Sequence, residues 1–178
     1  MSNGKKILGD ARRKLLIEWL TLSATPLTGT ELSKRTNVSR QVIVQDISIL
    51  KAQKHPIIAT AQGYIYNQLS PKTRISRMIA CQHSPDQTRE ELYILVDHGI
   101  TVSQVIVEHA IYGEITASLM VSTRVEADHF CNKVEQTNSS LLSELTNGVH
   151  LHLIEADTNE QIENAIQELR IKGFILED

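Results

Sequence analysis

Between Thr28 and Gln53 the chain spells two helices around a short break, and this pattern fixes most of what its first third can become. Thr28-Gly29-Thr30-Glu31 has the threonine-x-x-glutamate spacing that opens a helix. The segment ELSKRT ends before Asn37, Val38 leads on, and Ser39 stands where a second helix starts. In SRQVIVQDISILKAQ, Ile43, Ile47 and Leu50 follow i, i+4, i+7 spacing and give that helix one apolar face. Ser39, Arg40, Gln41, Val44, Gln45 and Ser48 fall on its leading and opposite faces.

Two short helices with a tight connection present the second to the major groove of duplex DNA. Arginine pairs with guanine and glutamine with adenine, so Arg40 and Gln41 are candidates for base edges, while Ser39 suits the helix start or a phosphate. Upstream, DARRKLLIEWLTL predicts a helix with Leu15, Leu16, Trp19 and Leu20 toward a core and Asp10 at its cap. Downstream, Ile57 to Thr60 and Tyr64 to Tyr66 are β-prone runs joined by a turn with Gly63, the wing of a winged helix-turn-helix.

The charge is divided the same way. Residues 1–70 carry ten Lys and Arg against four Asp and Glu, net +6; residues 71–178 carry eight against seventeen, net −9. A basic nucleic-acid-binding module joined to an acidic partner domain has this asymmetry. The seam is expected at Gln68 to Arg74, around Pro71. At 41% hydrophobic and 22% charged residues the chain reads as folded rather than disordered. It has no apolar run approaching about 18 residues, and no apolar signal core follows Lys5 and Lys6, which leads to an expected cytoplasmic location without membrane association. Cys81 and Cys131 lie far apart, excluding a CxxC redox pair or a disulfide framework and suggesting two buried free thiols.

The second part predicts a mixed α/β layer domain, making the whole chain α+β. The expected order is a helix from Arg74 to Ala80, a strand in ELYILVDHG, two strands or one bent one within Val102 to Val121 with the break at Tyr112-Gly113, and a helix from Thr123 to Gln136. A helical turn at Leu141 to Leu145, a strand from Val149 to Glu155 and a helix capped by Thr158 and closed by Gly173 complete it, with Phe174 to Leu176 as an edge strand. In GVHLHLIE, residues two apart share one face of a strand at roughly 6.6 to 6.8 Å. His150 and His152 therefore point together and suit a bidentate metal clamp. His83, Glu90, Glu91, Asp97, His98, His109 and Asp128 are available as further ligands. Imidazole with carboxylate suits nickel, zinc, iron or manganese better than calcium.

These strings resemble the nicotinic-acid-responsive repressors of NAD biosynthesis, built from a winged helix-turn-helix and a "3H" domain. The likeness runs from about Gly9 to Leu176 on SRQVIVQDISILK, His83 with REELYILVDHG, VIVEHAIYGEI and LTNGVHLHLIE. The resemblance implies residues 1–70 as the DNA-binding domain and 71–178 as the metal- and effector-binding, dimerisation domain. It implies His83, Glu91, His150 and His152 as ligands of a divalent transition metal, and nicotinic acid as corepressor. It also implies a homodimer on operator DNA, with reader helices about 34 to 36 Å apart. The repressed genes would serve de novo NAD synthesis or niacin uptake. His109 is a further characteristic histidine of the family; with Tyr112, and with Arg124 as a carboxylate partner by type, it is a candidate for the effector pocket. The chain departs from the family pattern in HAIYGE and HLHLIE without removing an implied ligand. The competing reading is a metal-dependent hydrolase with an accessory winged-helix domain, since the same clamp can hold a water-activating ion, although no general base is evident.

Overall fold

The computed structural model describes residues 7–67 and 74–176. The chain divides into two compact units, Met1–Pro71 and Lys72–Asp178. Of the expected seam only Arg74 falls within the described residues, and Lys5 and Lys6 lie outside them.

The first unit runs α1 (Gly9–Leu22), α2 (Gly29–Thr36), α3 (Arg40–Ala52), then an antiparallel hairpin of β1 (Ile57–Thr60) and β2 (Gly63–Tyr66). Leu16 and Leu20 of α1, Leu27, Leu32, Ile43, Ile47, Leu50 and Ile57 form its core, with Trp19 packed against it. The break between α2 and α3 is made by Asn37 in the left-handed region (φ 52°), a conformation asparagine tolerates, and by Ser39, whose side chain caps α3 by accepting from the Val42 amide. Thr28 caps α2, but Glu31 pairs with Arg35 instead of closing the capping box. Asp10 is not the cap of α1: Leu8 holds that position without a side-chain bond, and Asp10 in the first turn pairs with Arg13. A buried Arg12–Asp46 ion pair at 2.5 Å ties α1 to α3.

The second unit contains a four-stranded antiparallel sheet in the order β3-β6-β4-β5, from β3 (Ile75–Gln82), β4 (Thr101–His109), β5 (Gly113–Val121) and β6 (Val149–Ala156). The helices are α4 (Thr88–Asp97), α5 (Arg124–Thr137) and α6 (Asn159–Ile171). α4 packs on β4 and against α5 and α6, and α6 packs on β6. Complete capping boxes, Thr123 with Glu126 and Thr158 with Gln161, open α5 and α6.

Two segments adopt a secondary structure other than the expected one. Residues 75–82 form strand β3, not a helix: Ile75, Arg77, Ile79 and Cys81 are the more buried positions of a two-residue alternation. Glu91 to Asp97 of ELYILVDHG belong to helix α4, not to a strand, and bury Glu91, Leu92, Ile94, Leu95 and Val96. The expected edge strand reduces to one bridge, Ile175 opposite Cys81, flanked by bonds from the Gln82 amide to the Phe174 carbonyl and from the Leu176 amide to the Ala80 carbonyl.

Candidate metal centre

Register builds the centre. β3 and β6 pair so that Cys81 lies opposite His150 and Ile79 opposite His152, and the His83 amide extends the ladder to the Gly148 carbonyl. His150, His152 and Ile154 are the buried alternates of β6, while Leu151 and Leu153 face the other way and are only partly buried. Above them α4 aims Glu91 at the sheet, 0% exposed, whereas Glu90 turns outward to Lys172 at 2.5 Å. A helix turns by about 100° per residue, so two adjacent acids cannot both face the histidines.

Three imidazoles converge on the Glu91 carboxylate. His83 Nε2 lies 2.8 Å and His152 Nε2 3.2 Å from Oε2, and His150 Nε2 lies 3.3 Å from Oε1. The other nitrogen of each ring is fixed by the backbone: His83 Nδ1 donates to the Ser84 carbonyl at 2.8 Å, His150 Nδ1 to Gly148 at 2.9 Å and His152 Nδ1 to Gln104 at 3.1 Å. A carbonyl only accepts, so Nδ1 carries the proton and Nε2 of each neutral ring is a lone pair. Three lone pairs and a carboxylate meeting in a buried space repel one another until a cation, proton or metal, enters.

The titration behaviour has the same cause. Burial lowers the pKa of both His83 and His152, but the Glu91 carboxylate, through charge and hydrogen bonding, outweighs it and leaves both raised. Burial raises that of Glu91, yet the charge of His152 and the hydrogen bonds of all three rings hold it well below the usual carboxylate range. Cys81, 0% exposed, is pushed up by burial and then by Glu91. Its sulfur, a Glu91 oxygen and a His150 nitrogen lie within 4.8 Å of one another, a compact donor group to which His83 and His152 are joined through Glu91. Imidazole, carboxylate and thiol together fit a divalent transition ion.

Beside the donors opens a cavity of about 140 Å³, lined by Leu92, Val105, Leu119, Phe130 and Val134 together with His150 and His152. The Thr88 hydroxyl, in the first turn of α4, also lines it and is buried without a hydrogen-bond partner. A small, mostly apolar pocket lined also by an unpaired hydroxyl and by metal-binding groups suits a small ligand that carries a polar group.

In the first unit Arg40, Gln41, Gln45 and Ser48 are exposed along α3 and Val44 is half-buried, while Ile43, Ile47 and Leu50 enter the core. Arg12, Arg13 and Arg35 are held by Asp46, Asp46 and Glu31. Among the described residues no ion pair engages Lys34, Arg40, Lys51 or Lys54.

Comparison with known proteins bears on both units. Residues 76–178 match the 3H domain and residues 12–65 an HTH domain. The chain is 48% identical over 180 residues to the transcription repressor NadR of Bacillus subtilis, covering all of both proteins. It is 39% identical over 173 residues to the probable transcription repressor NiaR of Thermotoga maritima, covering 97% of this chain and 98% of that one. The chain belongs to the 3H-domain transcription repressors. For a member of this family the hydrolase reading has no support, since both relatives are described as repressors. Among the described residues no helix is long and apolar enough to cross a membrane.

Of the residues singled out in the sequence, His83, Glu91, His150 and His152 come together. His109, Tyr112 and Arg124 do not line the cavity beside them. His109 and Tyr112 stand at the β4–β5 turn, where Tyr112 is 76% exposed, and the Arg124 guanidinium is engaged by Asp97 and stacked over Tyr93. Sequence reasoning misses Cys81 and Thr88 at this site. Cys81-x-His83 has the spacing of His150-x-His152, but reading residues 74–80 as a helix conceals it. Thr88 leaves no signal in sequence, because an unsatisfied hydroxyl exists only in three dimensions.

Proposed function

We propose that this protein represses genes for de novo NAD synthesis or niacin uptake by binding operator DNA as a homodimer, with nicotinic acid as corepressor at a metal centre in its 3H domain. The observation that carries this reading is the convergence of three Nε2 lone pairs on a buried carboxylate beside an apolar cavity. It is supported by a helix-turn-helix on the same chain and by full-length similarity to repressors.

In this reading His83, Glu91, His150 and His152 hold nickel, zinc, iron or manganese. The bound ion supplies a Lewis-acidic position for the pyridine nitrogen or carboxylate of nicotinate. Leu92, Val105 and Phe130 sandwich the ring and exclude water, and Thr88 donates its unused hydroxyl to the carboxylate. On α3, Arg40 and Gln41 read base edges, Gln45 and Ser48 extend the contact, Val44 meets a thymine methyl and Ser39 holds the helix start against a phosphate. Nicotinate strengthens repression only by binding the DNA-competent dimer more tightly than the alternative state.

The test is binding to a palindromic promoter fragment at fixed salt, for metal-loaded and chelated protein, with and without nicotinate. Tighter binding confined to the metal-loaded, nicotinate-containing sample is expected. Equal affinity in all four samples rules the switch out.

A further inference from the structure

We propose that Cys81 is a further protein ligand of the metal centre, binding the ion through Sγ as a thiolate alongside His83, Glu91, His150 and His152. This rests on the metal-centre reading above and extends its donor set.

The placement of Cys81 is that of a ligand rather than of a core thiol. On β3 it is directly opposite His150 and shares a strand face with Ile79, the partner of His152. Two residues on, His83 continues the same face. Two i, i+2 pairs, Cys81-x-His83 and His150-x-His152, thus share one face of the ladder beneath one acid, Glu91, offset by two residues so that they meet where Cys81 stands opposite His150. The sulfur lies within 4.8 Å of both a Glu91 oxygen and a His150 nitrogen, and the residue is 0% exposed. The other cysteine, Cys131 on α5, is not in this group.

Before the effector binds, charge balance favours a second anion. Three neutral imidazoles and one carboxylate leave a divalent ion with one uncompensated positive charge, costly in a buried space. A Cys81 thiolate neutralises it: a sulfur–metal bond forms, and the thiol proton leaves to solvent. Thiolate also shifts preference toward softer ions such as zinc and nickel and away from manganese. A six-coordinate ion would still keep one position for the effector.

Cobalt(II) titrated into the metal-free full chain tests this. Bound cobalt gives visible d–d bands, and a near-ultraviolet sulfur-to-cobalt charge-transfer band arises only with a thiolate ligand. Both are expected in the native chain and in Cys131→Ser, whereas Cys81→Ser and Cys81→Ala keep the d–d bands and lose the charge-transfer band. Visible bands without charge transfer in the native chain overturn the role of Cys81 and leave the imidazole–carboxylate centre standing. A charge-transfer band lost in Cys131→Ser and kept in Cys81→Ser overturns it too. No cobalt uptake by the native chain overturns both readings. The spectrum of the native chain by itself reveals whether any thiolate binds the ion, so a poorly folding variant leaves the proposal open to refutation.

Discussion

Gly148 lies so close to His83 that a β-carbon added to it would come within 2.3 Å of the His83 carbonyl oxygen, and its φ of +88° disfavours any other residue. The Gly148 carbonyl also accepts from the His83 amide and from His150 Nδ1. One glycine therefore sets where two of the three imidazoles stand. Gly148→Ala is expected to lower stability by about 1–3 kcal/mol through backbone strain. It should weaken metal binding beyond that by displacing His83 and His150. Thermal unfolding and a competitive metal titration of the same variant separate the two effects; unchanged metal affinity would remove the positioning role.

The winged helix is legible in the sequence because its signals are local. A Ser39 cap, an i, i+4, i+7 stripe and a glycine turn each act over a few residues, and α3 and the hairpin follow them. The α4 and β3 segments depart from expectation because a short apolar run such as LYILV fits either period, and the surroundings decide. The His150-x-His152 pair survives those errors, since its shared face needs only that β6 be a strand. What no local pattern carries is the meeting of His83, Glu91 and β6, which depends on strand order and on α4 lying over the sheet.

Asp46 is 2% exposed and accepts from Arg12 and Arg13, fastening α3 to α1. Asp46→Ala leaves the buried Arg12 unpaired, and a loss of roughly 3–5 kcal/mol is expected. The double variant Arg12→Met with Asp46→Leu should recover most of it. Trp19 is the chain's single tryptophan and packs on this core, so its fluorescence in denaturant reports the first unit alone.

Arg40 and Gln41 are both exposed in the first turn of α3 but should fail differently. If Arg40 pairs with guanine, Arg40→Ala costs about 1–3 kcal/mol on the operator and relaxes preference at one base pair. If it holds a phosphate, the loss is uniform across sequences and the salt slope falls by about one. Gln41→Ala should leave the salt slope unchanged. Binding isotherms over a salt series on operator and scrambled duplexes distinguish these outcomes.

Thr88→Val replaces an unsatisfied buried hydroxyl with a methyl group of similar shape. The metal-free protein should become no less stable, because an unpaired polar atom is removed from an apolar site. Nicotinate affinity should nevertheless fall by about 1–3 kcal/mol if the hydroxyl serves the carboxylate. Calorimetric titration of nicotinate into metal-loaded native and variant protein measures this. Equal affinities would free Thr88 from any part in the pocket.

The centre also predicts opposite pH responses with and without metal. Glu91 is depressed below its ordinary 4.5, so its contribution to stability is present above that value and is lost as pH falls through the lower folded one. His83 and His152 are raised above 6.5, so theirs is complete below 6.5 and is lost as pH rises through the folded values. In metal-free protein the cluster therefore stabilises most between about 4.5 and 6.5, where protons serve as the cation among the acceptors. Metal binding needs those same rings deprotonated, so metal affinity grows with pH as the proton-held stabilisation fades. Raising the pH above 6.5 should lower the unfolding temperature of metal-free protein relative to metal-free Glu91→Gln, which lacks the charge that raises the histidines, while the stabilisation produced by saturating metal increases. Calorimetric scans at several pH values with and without metal supply both differences. A metal-free difference that does not shrink with rising pH would mean that Glu91 and the histidines do not share protons in the way their geometry demands.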